Sequence, residues 1–461
     1  MSSSLSRLQQ TLPQLVLRTD DDSLRHYGLD WTRYYQPAPL AIALPATIAE
    51  VQGIVRWARE QQVTLVPSGG RTGLSGGAVA ANGELVVSFE RMNRIGNFDR
   101  VARTVQCEAG VVTAALQQYA ADKGLYYPVD FAASGSSQLG GNIATNAGGI
   151  KVIRYGMTRE WVAGLTVVTG AGEVLELNRG LAKNNTGYDF RHLFIGSEGT
   201  LGFVVGATMK LTLPPAPQAV LLLALPALAD VMRVFEVFRE GIALSAFEFF
   251  SDQALGHVLA HGQLAPPFEK RAPFYVLLEL DDPAHVGDAT ALKLFERCLE
   301  QGWVLDGVLS LSLQHARELW RYRENISESI TPYTPYKNDI AVNISRVPAF
   351  IASLDALLAA NYPDFEVIWY GHIGDGNLHI NVLKPPTLAL EAFRAACEQV
   401  NEQVFALVRD FGGSMSAEHG VGLLKRDYLA VSRSDAEIAL MRSIKAAFDP
   451  DGIMNPGKLL S

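Results

Sequence analysis

His372 and His379 flank the segment Ile-Gly-Asp-Gly-Asn-Leu, and Glu418-His419 stands in a later polar loop, Ser414-Met-Ser-Ala-Glu-His-Gly-Val-Gly422. Imidazole nitrogens and a carboxylate oxygen are ligands that borderline divalent ions accept. Two histidines and one glutamate leave coordination positions open for water or substrate. Residues seven apart on an unbroken strand face opposite ways. The Gly-Asp-Gly-Asn turn breaks that parity, so both imidazoles can converge. Asn381, two residues after His379, shares its face. The residues alone leave two readings open: an open divalent-metal site made by His372, His379 and Glu418, or unrelated core and surface histidines. Three of the nine histidines in glycine-flanked motifs count against the second.

A different chemistry is written in glycine. Pro67-Ser-Gly-Gly-Arg-Thr-Gly-Leu-Ser-Gly-Gly77 holds five glycines between positions 69 and 77. Such a stretch makes neither a helix nor a regular strand at reasonable cost. Its physical use is to turn successive backbone N–H groups towards an anion; the plainer alternative is a flexible surface loop. A second long segment of small residues, Tyr127-Pro-Val-Asp-Phe-Ala-Ala-Ser-Gly-Ser-Ser-Gln-Leu-Gly-Gly-Asn-Ile-Ala-Thr-Asn-Ala-Gly-Gly149, favours function, because long loops inside compact domains usually have one. Its glycines let a flat ring lie against backbone, and its Ser, Thr and Asn side chains offer neutral hydrogen bonds. No G-x-G-x-x-G is present. Gly452-Ile-Met-Asn-Pro-Gly-Lys458 has the spacing of an ATP-binding loop but lacks its Ser/Thr and carries a proline.

The bulk numbers exclude other classes. A net charge of -9 without any Lys/Arg run argues against nucleic acid as a partner. Cys107, Cys298 and Cys397 are scattered, as in a reduced intracellular protein. No leader pattern and no stretch of about 20 apolar residues is evident, so the expectation is a cytoplasmic protein without a membrane span.

These loops, together with Gly196-Ser-Glu-Gly-Thr-Leu-Gly202, Tyr370-Gly-His-Ile-Gly-Asp-Gly-Asn-Leu-His379, Glu418-His-Gly and Asn455-Pro-Gly-Lys458, resemble the FAD-linked D-2-hydroxy-acid dehydrogenases of the PCMH/vanillyl-alcohol-oxidase superfamily. The resemblance runs over roughly residues 28–460. It implies an α+β fold: a PCMH-type FAD-binding domain, a substrate domain, and a C-terminal segment returning to the flavin. It implies that Pro67, Ser68, Gly69, Gly70, Arg71, Thr72, Gly73, Gly76 and Gly77 cradle the pyrophosphate. Pro128, Asp130, Ser134, Gly135, Ser136, Gly140, Gly141, Asn142, Thr145, Asn146 and Gly148 would line pyrophosphate and isoalloxazine. Gly199, Gly202, Val204 and Val205 would touch the adenosine side, and Asn455 the flavin ring. The first loop carries Arg71 and no His or Cys, so FAD is expected to be non-covalent.

By the same resemblance the metal is zinc or a similar ion held by His372, His379 and Glu418, and His419 is the general base for a 2-hydroxy acid. Asp30-Trp-Thr-Arg33 and Tyr336-Lys-Asn-Asp339 look like the D-2-hydroxyglutarate branch. There, positions matching Arg323, Ser327 and Lys337 bind substrate carboxylates, with Asn381 beside them. D-lactate, D-malate or glycolate, and a non-redox flavin enzyme of the alkyl-dihydroxyacetone-phosphate synthase type, are the alternatives. An electron-transfer flavoprotein or quinone as acceptor and a homodimer are the implied partners.

The elements that must position these groups can be read as well. Residues 1–36 are polar and expected to wrap the surface. Pro39-Leu-Ala-Ile-Ala-Leu-Pro45 is a strand, and Thr47-x-x-Glu50 caps a helix carrying Val51, Ile54, Val55 and Ala58. Thr64-Leu-Val-Pro67 is the strand entering the first glycine loop. The proline cluster after Lys210 marks a boundary. The expected domains are 37–214 for FAD, 218–410 for substrate, and 411–461 for the closing segment. Within them, 275–280 and 367–370 read as strands, 313–330 and 388–410 as helices, and Ser434-x-x-Glu437 as a further cap.

Overall fold

The computed structural model describes residues 3–32, 34–262, 264–281 and 289–460; Arg33 of the early motif lies outside them. The chain forms two compact units: Met1–Gly148, Gly156–Pro214 and Glu418–Ser461 make the first, and Gly149–Tyr155 and Pro215–Ala417 the second. The chain passes from one to the other between Pro214 and Pro215, inside the proline cluster. The closing segment begins at Glu418 rather than at 411. Ser414 exchanges backbone hydrogen bonds with Ala341 and so stays with the second unit. Residues 149–155 also leave the stretch expected to bind FAD for the second unit, where Arg154 forms ion-paired hydrogen bonds with Asp281.

In the first unit, β1 (Val16–Arg18), β2 (Ala41–Leu44), β3 (Leu65–Ser68) and β4 (Leu85–Ser88) form a sheet in the order β1-β2-β4-β3. β2 and β3 run parallel to β4. Every residue of β2 and β4 is buried, as expected of parallel strands covered on both faces. The helix Ile48–Gln61 starts where the Thr47 hydroxyl accepts from the Glu50 N–H at 3.1 Å. Only half the expected capping box forms, because the Glu50 carboxylate reaches back to the Ala46 N–H. The N-terminal residues do not merely wrap the surface. Leu5 and Leu8, three apart on the helix Ser3–Thr11, and Leu15 beyond its end are buried in the core shared with Trp57. A second sheet orders β5 (Ile95–Asp99), β6 (Thr104–Glu108), β7 (Val162–Thr169), β8 (Val174–Leu177) and β9 (Gly202–Lys210) as β5-β6-β9-β7-β8. The C-terminal helix Asp435–Phe448 begins with a complete capping box. The chain beyond it lies along β3, with Leu65 paired to Met454.

The second unit is built on a seven-stranded antiparallel sheet, β13-β10-β12-β11-β15-β16-β14. These strands are β10 (Gln218–Leu225), β11 (Leu244–Ser251), β12 (Phe274–Asp281), β13 (Asp306–Leu309), β14 (Tyr336–Ala341), β15 (Val367–Gly371) and β16 (Asn377–Val382). One face packs the helices Asp252–Gly262, Leu313–Glu324 and Ile326–Ile330 in a single core. The helix expected over 313–330 is therefore two, broken at Asn325, which ends the first and begins the second. Against the expectation of no apolar stretch of membrane-spanning length, the 18-residue helical stretch Ile344–Asn361 is long and apolar enough by composition. Its Val347, Phe350, Ile351, Leu354 and Leu358 are buried at helical spacing, the pattern of a helix covering a core.

Candidate active site

The glycine loops of the first unit pack on one another so tightly that side chains are excluded. A Cβ on Gly70 would meet the Ser136 carbonyl at 2.2 Å, and one on Gly199 (φ +72°) would meet Pro67 Cγ at 2.6 Å. Around them, the Ser68 hydroxyl, Gln138 Oε1 and Asn455 Oδ1 are buried without a hydrogen-bond partner among the described residues. The amide nitrogen of Asn455 donates to Gly77 O at 2.9 Å and Glu198 O at 2.7 Å, which fixes the side chain and leaves its oxygen to accept. Buried polar atoms are rarely left unmatched. These orphaned atoms and glycine-lined walls fit a flat, polar cofactor.

Other expected contacts are spent inside the protein. Asn142 donates to Thr113 Oγ1, Thr145 to Gly141 O, and Asn146 Oδ1 accepts from the Arg159 N–H. Arg71 donates to Gly69 O, and its guanidinium lies 4.7 Å from the Tyr27 ring centroid. Asp130 accepts from Gln117. Val204 and Val205 bury their side chains in two different cores. At these β9 positions only backbone remains to meet a ligand.

Glu418 and His419 also belong to the first unit, in a turn fastened by Glu198. The Val421 and Gly422 N–H groups each donate to that carboxylate at 2.7 Å. Burial pushes Glu198 up, and the two N–H donors oppose the shift. The three cysteines are buried, and burial pushes the Cys107 thiol up to about 12.

In the second unit the pleat gathers the remaining candidates. Tyr370, His379 and Asp339 stand opposite one another across β15, β16 and β14, and Asn381 and Lys337 occupy the next row on the same face. β11 adds Glu248, two residues before Phe250, which pairs with Tyr370. The turn Ile373–Asp375 ends at Gly376 (φ +90°), where a Cβ would strike the Val342 carbonyl at 2.2 Å. Only glycine closes this turn without strain. It brings the His372 and His379 rings edge to face at 5.3 Å.

Behind each imidazole is a carboxylate. His372 Nδ1 lies 2.7 Å from Glu248 Oε2, and His379 Nδ1 lies 3.6 Å from Asp339 Oδ1. Arg323 reaches in from its helix. Its guanidinium is 4.9 Å from the Tyr370 ring centroid, and Nη2 is 2.8 Å from Glu248 Oε2. Neither Nη2 nor Nε makes a well-aligned hydrogen bond among the described residues, and both Asn381 amide atoms are equally unmatched. Lys337 Nζ donates to Ser327 Oγ at 3.3 Å, and burial lowers its pKa. Burial pushes the Tyr370 phenol up, with Arg323, Ser327 and Asn381 opposing the shift. Arg323, Ser327, Lys337, His372, His379 and Asn381 are thus gathered in one buried cluster.

Glu248, Asp339 and Tyr370 were not singled out in the sequence. The available signal for Glu248 was a lone charge in the apolar run Ala246-Phe-Glu-Phe-Phe250.

Residues 39–178 match the family described as FAD binding domain, and residues 214–459 match FAD linked oxidases, C-terminal domain. The chain belongs to the FAD-linked oxidases. A D-2-hydroxyglutarate dehydrogenase of Stutzerimonas stutzeri is 59% identical over 443 residues, 96% of each chain. The mitochondrial D-2-hydroxyglutarate dehydrogenase of Bos taurus is 38% identical, covering 99% of this chain and 83% of its own. The structure of p-cresol methylhydroxylase with substrate bound aligns at a TM-score of 0.78 with 15% identity, over 100% and 97% of the two chains, which establishes the PCMH-type fold. This FAD-linked oxidase therefore carries its glycine loops inside the matched FAD-binding region, and its histidine-rich strands inside the matched C-terminal domain.

Proposed function

We propose that this flavoprotein is a dehydrogenase that oxidises D-2-hydroxyglutarate to 2-oxoglutarate. The observation that carries the reading is the pair of cations in one buried cluster. Arg323 has unmatched donors, and Lys337 has a serine hydroxyl but no carboxylate partner among the described residues. An acid with two carboxylates suits both groups: Arg323, already ion-paired with Glu248, has Nε to offer one, and an acid with a single carboxylate leaves Lys337 unsatisfied. The names of the two relatives support the same substrate.

Arg323 shares Glu248 with His372, so it takes the carboxylate beside the reacting carbon. Lys337 and Ser327 take the distal one, and Asn381 supplies the neutral donor and acceptor. His372, His379 and Glu418 would hold a divalent ion, zinc foremost. Glu418 follows directly on Ala417, the last residue of the second unit. When bound, non-covalent FAD supplies the two-electron acceptor and the divalent ion a Lewis acid for the 2-hydroxyl. His419 receives the hydroxyl proton, a task suited to an imidazole near neutrality. Electrons then leave to an electron-transfer flavoprotein or a quinone. Steady-state assays with an artificial acceptor test the substrate: kcat/KM for D-2-hydroxyglutarate should exceed that for D-lactate at least about tenfold, which is about 1.4 kcal/mol. Equal values would sink the assignment.

A further inference from the structure

We propose that Glu248 is a positioning residue that sets the tautomer of His372 and the aim of Arg323 together. The inference rests on the reading of His372 as a metal ligand. Glu248 is fully buried in an apolar strand. A carboxylate there is costly unless its charge is matched and its oxygens are occupied. Its two oxygens lie 2.8 and 2.7 Å from His372 Nδ1, and Arg323 Nη2 lies 2.8 Å from one of them. An ionised carboxylate only accepts hydrogen bonds, so Nδ1 carries a hydrogen, and in the neutral imidazole that a metal requires Nε2 carries the lone pair. Nε2 is then the nitrogen that would ligate an ion.

The same carboxylate balances the Arg323 charge. Without it, a buried guanidinium would stand uncompensated beside a dication's ligand and weaken binding further. Both effects act in one direction. Carboxylates that orient metal-binding histidines through the second ring nitrogen typically contribute about 10–100-fold in metal affinity.

The experiment compares wild type, Glu248→Gln and His372→Ala as FAD-loaded full-length proteins. Zinc affinity is read by competition with a chromophoric chelator, and FAD content is read from flavin absorbance. Glu248→Gln should bind zinc about 10–100-fold more weakly and keep its flavin. A second measurement leaves the buried charge in place and decides the matter if that variant does not fold. Long-range proton–nitrogen spectra of zinc-loaded wild type labelled with 15N-histidine should show His372 protonated at Nδ1 and ligating through Nε2. His372→Ala supplies the assignment. Unchanged zinc affinity in Glu248→Gln while His372→Ala loses zinc would overturn the role of Glu248 alone, as would a proton on Nε2. Zinc retained in His372→Ala would overturn the metal reading itself, and this proposal with it.

Discussion

At the scale of single residues, the proposed function divides recognition of the acid between Lys337 and Arg323. Lys337 is buried, donates to Ser327 and has no carboxylate partner among the described residues, so the proposed distal carboxylate would be its counter-charge. A desolvated carboxylate without its cation costs about 2–5 kcal/mol. Lys337→Met should therefore lower kcat/KM for D-2-hydroxyglutarate by about 30-fold or more, and change D-lactate turnover far less. Equal losses for the two acids would show that Lys337 does not read the distal end. Arg323→Met should lower kcat/KM for both acids, because Arg323 sits with Glu248 and His372 at the reacting end; the same pair of assays checks it. The two histidines, Arg323 and Lys337 were legible in the sequence through motif and resemblance. Glu248 was not, since it is 124 residues from His372 and only the pairing of β11 with β15 brings them together.

At the scale of elements, the turn after β15 carries the site. Gly376→Ala combines a left-handed backbone with a carbonyl 2.2 Å from the new methyl. Gly302→Ala has a similar positive φ (+72°) and nothing within 4 Å. The left-handed conformation alone costs about 1–2 kcal/mol, and overpacking adds about 1–3. Gly376→Ala should thus lose roughly 2–5 kcal/mol in urea unfolding, and Gly302→Ala about 1–2. Zinc content should fall only in the first. Matching losses would mean that the turn can relax around the methyl. Strands were easy to read here because their apolar runs are bounded by proline and glycine, and the parity break at Gly-Asp-Gly-Asn was legible for the same reason. The break at Asn325 was not: nothing in the run Arg-Tyr-Arg-Glu-Asn-Ile forbids helix, and packing of Ile326 and Ile330 into the core sets the second axis.

At the scale of the whole molecule, the chain builds its FAD-binding unit from three segments and its second unit from two. Sequence order hides this, and so the closing segment was expected to begin earlier than Glu418. Within the first unit, burial pushes Lys458 down to about 8 against the pull of Glu84 and Asp30. An unfolded lysine titrates near ~10.4. Between these values the unfolded chain binds a proton that the folded chain does not, so this group makes stability rise with pH across the window and lowers it by a constant amount below. The change in urea midpoint from pH 8 to pH 10 should be more positive in wild type than in Lys458→Met, because buried thiols and phenols act equally in both; parallel profiles would remove Lys458 as a source. Acid precipitation should release the yellow colour to the supernatant, because no His or Cys stands in the first glycine loop to tether FAD. Colour retained in the pellet would contradict non-covalent binding. The central claim, oxidation of a two-carboxylate 2-hydroxy acid at the flavin, is met most directly by anaerobic titration of the FAD-loaded, zinc-loaded protein with D-2-hydroxyglutarate, D-malate and D-lactate, following flavin absorbance. D-2-hydroxyglutarate should bleach the flavin rapidly and completely and D-lactate markedly more slowly; a flavin that D-2-hydroxyglutarate leaves oxidised would contradict oxidation of this acid.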